Sequence, residues 1–201
     1  VNNALMLGVL AGALQLAGYI AYNASFVKRG VRPNTASWFI WAFGSVASSW
    51  SYVTMSKGHA EDILPIVCSV SCILTFIHVL TRGERKKIDS HELLIIGIDI
   101  LVVIFWIITS LVGFGEKAAI VANLMFQAST LLSFGPMIRE VYKDGEAETK
   151  LPWILWSCAY AMEIAVLWVQ HSVWNEWVYP IVCLPLHVIV AIFAKVRTTH
   201  A

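Results

Sequence analysis

Pro65-Ile66-Val67-Cys68 recurs as Pro180-Ile181-Val182-Cys183. The ungapped shift of 115 residues that joins these tetrads also lays Trp38 on Trp153, Trp41 on Trp156, Lys28 on Lys143, Gly30 on Gly145, Glu61 on Glu176 and Arg82 on Arg197. A tryptophan pair and a tetrad falling in one register identify an internal repeat. The residues between the copies make up one further apolar stretch, so the second copy re-enters in the same sense as the first. The expected organisation is a three-helix bundle over residues 1–88, a linker transmembrane helix over 89–115, and a second three-helix bundle over 116–201.

Outward from the tetrads the chain is apolar almost throughout. Its 201 residues are 58% hydrophobic and 13% charged, with mean hydropathy +0.71, whereas soluble domains carry roughly 25% charged residues. A span needs about 20 apolar residues. Seven such stretches run over Ala4–Val27, Ala36–Met55, Ile63–Leu80, Leu93–Val112, Ala118–Ile138, Leu151–Val169 and Val178–Ala194. Charged or turn-forming residues bound each one, among them Lys57-Gly58 and Gly115-Glu116-Lys117. The fold class is therefore an all-α membrane protein, with seven transmembrane helices in two parallel three-helix bundles joined by a linker helix.

Basic residues are retained on the cytoplasmic side during insertion, and here they alternate from loop to loop. One set of connections carries 12 of the 14 Lys and Arg; the other holds Lys57 and Lys117 alone. This predicts an integral, multi-pass protein with its N-terminus outside and its C-terminus cytoplasmic. The net charge of +1 gives no argument for nucleic acid. The expected partners are the lipid bilayer and a small-molecule substrate, and a homo-oligomer stays open. Cys68, Cys72, Cys158 and Cys183 lie inside apolar runs without metal-ligand spacing, so neither a metal nor another cofactor is expected.

Helical spacing selects one inward stripe per helix. In the second span it runs Trp38, Trp41, Ser45, Ser48, Tyr52, and in the sixth, at the same offsets, Trp153, Trp156, Tyr160, Glu163, Leu167. The first span offers Gly8, Gly12, Gln15, Tyr19 against Asn123, Gln127, Thr130, Phe134 of the fifth. Polar groups in hydrocarbon need partners or a wet cavity. Glu163, near mid-span, is by default a functional carboxylate and a candidate for proton coupling. His187 lies at similar depth two residues past Pro185, which should kink the seventh helix; it is the expected neighbour of Glu163 and a second proton-coupling candidate. Asp99, in the linker span, reads as a structural residue outside both bundles. Trp38, Trp41, Trp153 and Trp156 sit in first turns, where an interfacial belt and a gate are both open. Gly8 and Gly12 read as a helix-packing pair.

The parallel 3+1+3 plan resembles the SWEET and PQ-loop superfamily of transporters. Pro136, followed by Lys143-Asp144-Gly145 and Leu151-Pro152-Trp153, looks like the progression through a PQ loop. The resemblance implies transport by alternating access, with Pro136 joining Pro185 as a hinge and Trp50 as an aromatic wall of the pocket. The expected function is carriage of a small polar solute, a sugar or related metabolite, with proton coupling through Glu163. The expected substrate site is Gln15, Ser48, Trp50, Cys72, Asn123, Gln127, Tyr160, Glu163 and His187. Two alternatives share the plan: a sorting receptor similar to the KDEL receptors, and a carrier of vitamin-precursor nucleosides. No phosphate-binding loop, HExxH or GxSxG is present, so an enzyme is not expected.

Overall fold

The computed structural model describes residues 2–29, 35–56, 60–82 and 90–195, and these hold no strand. The helices are α1 (Asn2–Arg29), α2 (Thr35–Ser56), α3 (Ile63–Arg82), α4 (Ser90–Thr109), α5 (Gly115–Lys143), α6 (Lys150–Gln170) and α7 (Trp174–Phe193). A 3-10 turn, Ala60–Asp62, leads into α3. Five segments are long and apolar enough to cross a membrane: Asn3–Val27, Ala60–Arg82, Ser90–Lys143, Lys150–Gln170 and Trp174–Phe193. Their number and length are compatible with a multi-pass membrane protein. α2 stands outside that set because serine and threonine dilute its apolar residues. Of the residues that carry the sidedness argument, Arg32, Lys57, Arg85, Lys86, Lys87 and Arg197 lie outside the described residues, as do Gly30 and Gly58.

The expected loop at Gly115-Glu116-Lys117 is not a loop. Ser90–Lys143 is helical over 54 residues, about 80 Å if straight and far longer than a bilayer is thick. The chain turns within it instead. A π-helical turn, Ser110–Phe114, joins α4 to α5, with Gly113 at φ 95° and Gly115 at φ 35°. Those angles are open to glycine at little steric cost, and α4 folds back to pack on α5.

Burial follows helical spacing. α3 buries Leu64, Cys68, Cys72, Thr75 and Val79 on one face, while Ile66, Val70, Leu74 and Ile77 are exposed on the other. Gln15, Asn123, Gln127, Glu163 and His187 are buried. Polar groups inside and apolar side chains outside suit a protein whose surroundings are hydrocarbon.

The packing partners are ordered. α3 packs against both α1 and α2, and α7 against both α5 and α6. Between these groups α1 lies on α6 and α2 on α5, while α4 touches α5 and α2. Small residues set the closest approaches. A Cβ at Gly8 would sit 2.5 Å from the Ala60 carbonyl oxygen, and one at Gly12 would sit 2.9 Å from Ile63 Cγ2.

Candidate functional site

A cavity of about 100 Å³ lies where the helices converge, and each of the seven contributes to its wall. Of the nine expected substrate residues, Ser48, Cys72, Tyr160 and His187 line it. Gln15, Asn123, Gln127 and Glu163 are buried behind the wall rather than on it. Trp50 is misplaced in the sequence reading. It is 64% exposed and stacks edge-on against Trp106 of α4 with centroids 5.1 Å apart. Trp50 lies off the Trp38–Ser48–Tyr52 stripe, which is the physical reason it faces outward.

The polar residues behind the wall tie α2 to α5. Asn123 Nδ2 donates to the Ser48 carbonyl at 3.2 Å and to Ser51 Oγ at 3.1 Å. Gln127 Nε2 donates to Ser48 Oγ at 2.9 Å, and its Oε1 accepts a long contact from Cys183 Sγ at 3.9 Å. Glu163 has no such tie. It is fully buried, and neither carboxyl oxygen has a hydrogen-bond partner among the described residues. Glu61 and Asp62, at the head of α3, lie within electrostatic reach of it.

His187 does not bond to Glu163. Its Nδ1 pairs with the Cys183 carbonyl at 2.7 Å; a carbonyl only accepts, so Nδ1 carries a proton and donates it. The ring sits among Tyr160, Phe134, Trp153 and Trp156 at centroid distances of 4.8, 5.1, 5.4 and 5.9 Å. Pro136 and Pro185 both lie inside helices that continue through them, and neither reaches the cavity.

The four first-turn tryptophans form one inward-turned cluster. Trp38, Trp153 and Trp156 are buried and Trp41 is half-buried, and all four line the cavity. Their rings meet edge to face, Trp38 on Trp41 at 5.2 Å, Trp41 on Trp153 at 6.5 Å and Trp153 on Trp156 at 4.9 Å, an arrangement favoured by the ring quadrupole. Belt tryptophans turn their N–H to headgroups. Here Trp38 Nε1 donates to Tyr22 Oη at 3.3 Å, Trp156 Nε1 to the Gln15 carbonyl at 3.2 Å, and Trp153 Nε1 to Glu148 Oε2 at 3.1 Å. Glu148 lies between α5 and α6. Burial pushes its carboxyl up to about 7 against the pull of the Trp153 bond, with Glu140 adding like charge.

Several wall residues were not singled out from sequence. Tyr179 and Cys183 precede the expected His187 at four-residue steps along α7, and Cys68 precedes the expected Cys72 by one turn on α3, so spacing alone could have found Tyr179, Cys183 and Cys68. Asp99 was placed outside both bundles, but it is buried and lines the cavity. It reaches there because α4 packs on α2 at Gly44, where a Cβ would stand 3.4 Å from Asp99 Oδ2. The described residues contain no group of three or more His, Cys, Asp or Glu placed to hold a metal ion. Compared with family models, curated proteins and solved structures, the chain matches none.

Proposed function

We propose that this chain is a seven-span membrane carrier that moves a small polar metabolite by alternating access, with its N-terminus outside and its C-terminus cytoplasmic. The observation that carries the reading is the cavity. Its wall draws on α1–α3 and on α5–α7 together, so a rocking of one group against the other would change its access. Support comes from the packing order, in which α3 stands to α1 and α2 as α7 stands to α5 and α6, and α1 meets α6 as α2 meets α5. That is the relation a parallel repeat of 115 residues would produce, and it fits the resemblance to the SWEET and PQ-loop transporters. In this reading the tryptophan cluster, in the first turns of α2 and α6 beside Lys150, is the plug of a cytoplasmic gate. A peptide-tail receptor would want basic side chains to hold a carboxylate, and among the described residues the cavity wall has no Lys or Arg.

Glu163 is the proposed proton carrier, because a buried carboxyl with no hydrogen-bond partner among the described residues gains or loses a proton with no such bond to break. The test is uptake into proteoliposomes of a panel of sugars, amino acids, nucleosides and amines, with and without a pH gradient. Wild-type protein should accumulate one class in response to the gradient. Glu163→Gln should keep exchange and lose that accumulation; full gradient-driven uptake by the variant would refute the coupling role. A panel in which no solute enters faster than into empty vesicles would refute the carrier.

A further inference from the structure

The chemistry of the cavity wall narrows what it holds. Among the described residues the wall carries no Lys or Arg, and Asp99 is its one carboxylate. Asp99 is 2% exposed, and its Oδ1 has no hydrogen-bond partner among the described residues. A buried carboxylate oxygen left unmatched is costly until a cation or a proton reaches it.

Most serine and threonine hydroxyls on the wall are already engaged: Ser129 bonds to the Asp99 carboxylate and Ser48 Oγ accepts from Gln127. Ser45 donates to the Ala42 carbonyl at 3.1 Å, Thr130 to that of Phe126 at 2.9 Å and Ser133 to that of Thr130 at 2.8 Å. A sugar, with a donor and an acceptor at almost every carbon, would find few free partners here. The rest of the wall is ring surface, including Tyr19, Trp41, Phe134, Trp156 and Tyr160, and ring faces attract cations. A metal ion wants a cage of oxygen ligands, whereas this wall pairs one carboxylate with aromatic rings. The space of about 100 Å³ is several times the roughly 10–15 Å³ that a single water needs, which suits a small solute.

The geometry points to a small organic cation as the substrate, a quaternary or aromatic ammonium whose charge faces Asp99 and whose apolar body lies between the rings. This rests on the reading of the cavity as the carrier's substrate site.

Binding and transport are tested apart. The full chain, purified in detergent, is titrated by tryptophan fluorescence with choline, tetramethylammonium and N-methylpyridinium. The comparators are glucose and 3,3-dimethyl-1-butanol, which has the shape of choline without its charge. At least one cation should bind, and choline should bind at least about tenfold more tightly than its neutral isostere, a difference of ~1.4 kcal/mol. Asp99→Glu should keep that ratio and Asp99→Asn should abolish it. Isostere binding as tight as choline, or silence from all three cations, overturns the inference. An unaltered ratio in a monodisperse Asp99→Asn protein also overturns it. Should that variant fail to fold, the wild-type ratio decides alone. Uptake of labelled choline into proteoliposomes then separates the two readings. Charge-selective binding without uptake upholds the cation site and removes the carrier, whereas uptake of a neutral solute with no cation binding upholds the carrier and removes the cation site.

Discussion

Gln127 Nε2, on α5, donates to the hydroxyl of Ser48, on α2, at 2.9 Å. One turn earlier Asn123 reaches the Ser48 carbonyl and Ser51 Oγ, so two amides fasten the same stretch of α2. At the repeat offset of 115 residues, Gln127 and Ser48 correspond to Gly12 and Glu163. The pair that is a hydrogen bond between α5 and α2 is therefore a glycine and an acid on α1 and α6. The first pair is joined by neutral polar groups; the corresponding positions hold a glycine and an ionisable group with no hydrogen-bond partner among the described residues.

Ser48→Ala should destabilise the protein through the amide it strands. Interhelical hydrogen bonds in membrane proteins average only ~0.6 kcal/mol, but a buried donor left without an acceptor costs about 1–3 kcal/mol. The larger figure applies, because Gln127 is 2% exposed and cannot turn to water. Thermal melting in detergent should show the loss. Adding Gln127→Leu should cost less than the two single losses together, since the second change removes the orphan.

Glu148 gives the protein a pH response outside its spans. Burial holds its carboxyl at about 7 from a usual 4.5, while Glu140 on α5 and Tyr22 on α1 lie within electrostatic reach and Trp153 on α6 donates to it. The folded chain thus keeps a proton that the unfolded chain has released between about pH 4.5 and 7, and stability falls as pH rises through that window. Glu148→Gln keeps the neutral form at every pH. Melting curves at pH 5 and pH 8 should show a smaller pH 8 deficit for the variant than for wild type; an unchanged deficit would assign the response to other groups.

Two glycines should respond in opposite directions to alanine. A Cβ at Gly18 would lie 2.4 Å from Trp156 Nε1, the atom that donates to the Gln15 carbonyl. Gly18→Ala must displace that indole, an overpacking cost of ~1–3 kcal/mol. Gly97, within α4, has nothing within 4 Å of such a Cβ. Gly97→Ala should gain about 0.5–1 kcal/mol from reduced backbone freedom in the unfolded chain. Differential melting of the two variants checks both signs.

What the sequence made legible was set by period. Gly8, Gly12, Gln15 and Tyr19 are all buried, as are Trp153, Trp156, Tyr160, Glu163 and Leu167, because a 3.6-residue repeat fixes which side chains share a face before any partner is known. Trp50 failed because it was chosen by likeness to another family against its own phase on α2. Asp99 was not legible for a different reason: its place depends on how α4 docks on α2, where it comes near Gly44. The turn at Gly113 and Gly115 was legible as a boundary, but not as a fold-back in which helical bonding persists.

The tryptophan plug should control access to Cys72. That thiol lines the cavity, is 4% exposed, and is held by Tyr19 Oη at 2.8 Å. A water-soluble methanethiosulfonate reagent must reach it past Trp38, Trp41, Trp153 and Trp156 if it enters from their end. In a chain that keeps Cys72 as its single cysteine, modification should be slow, and Trp41→Ala should speed it severalfold by removing the ring that bridges Trp38 and Trp153. Trp50→Ala serves as the control, because Trp50 faces away from the cavity against Trp106. Truncating it removes as many atoms from the same helix, so a rate that rises equally in both variants would mean general loosening of α2. A rise confined to Trp41→Ala is the result that a gate predicts.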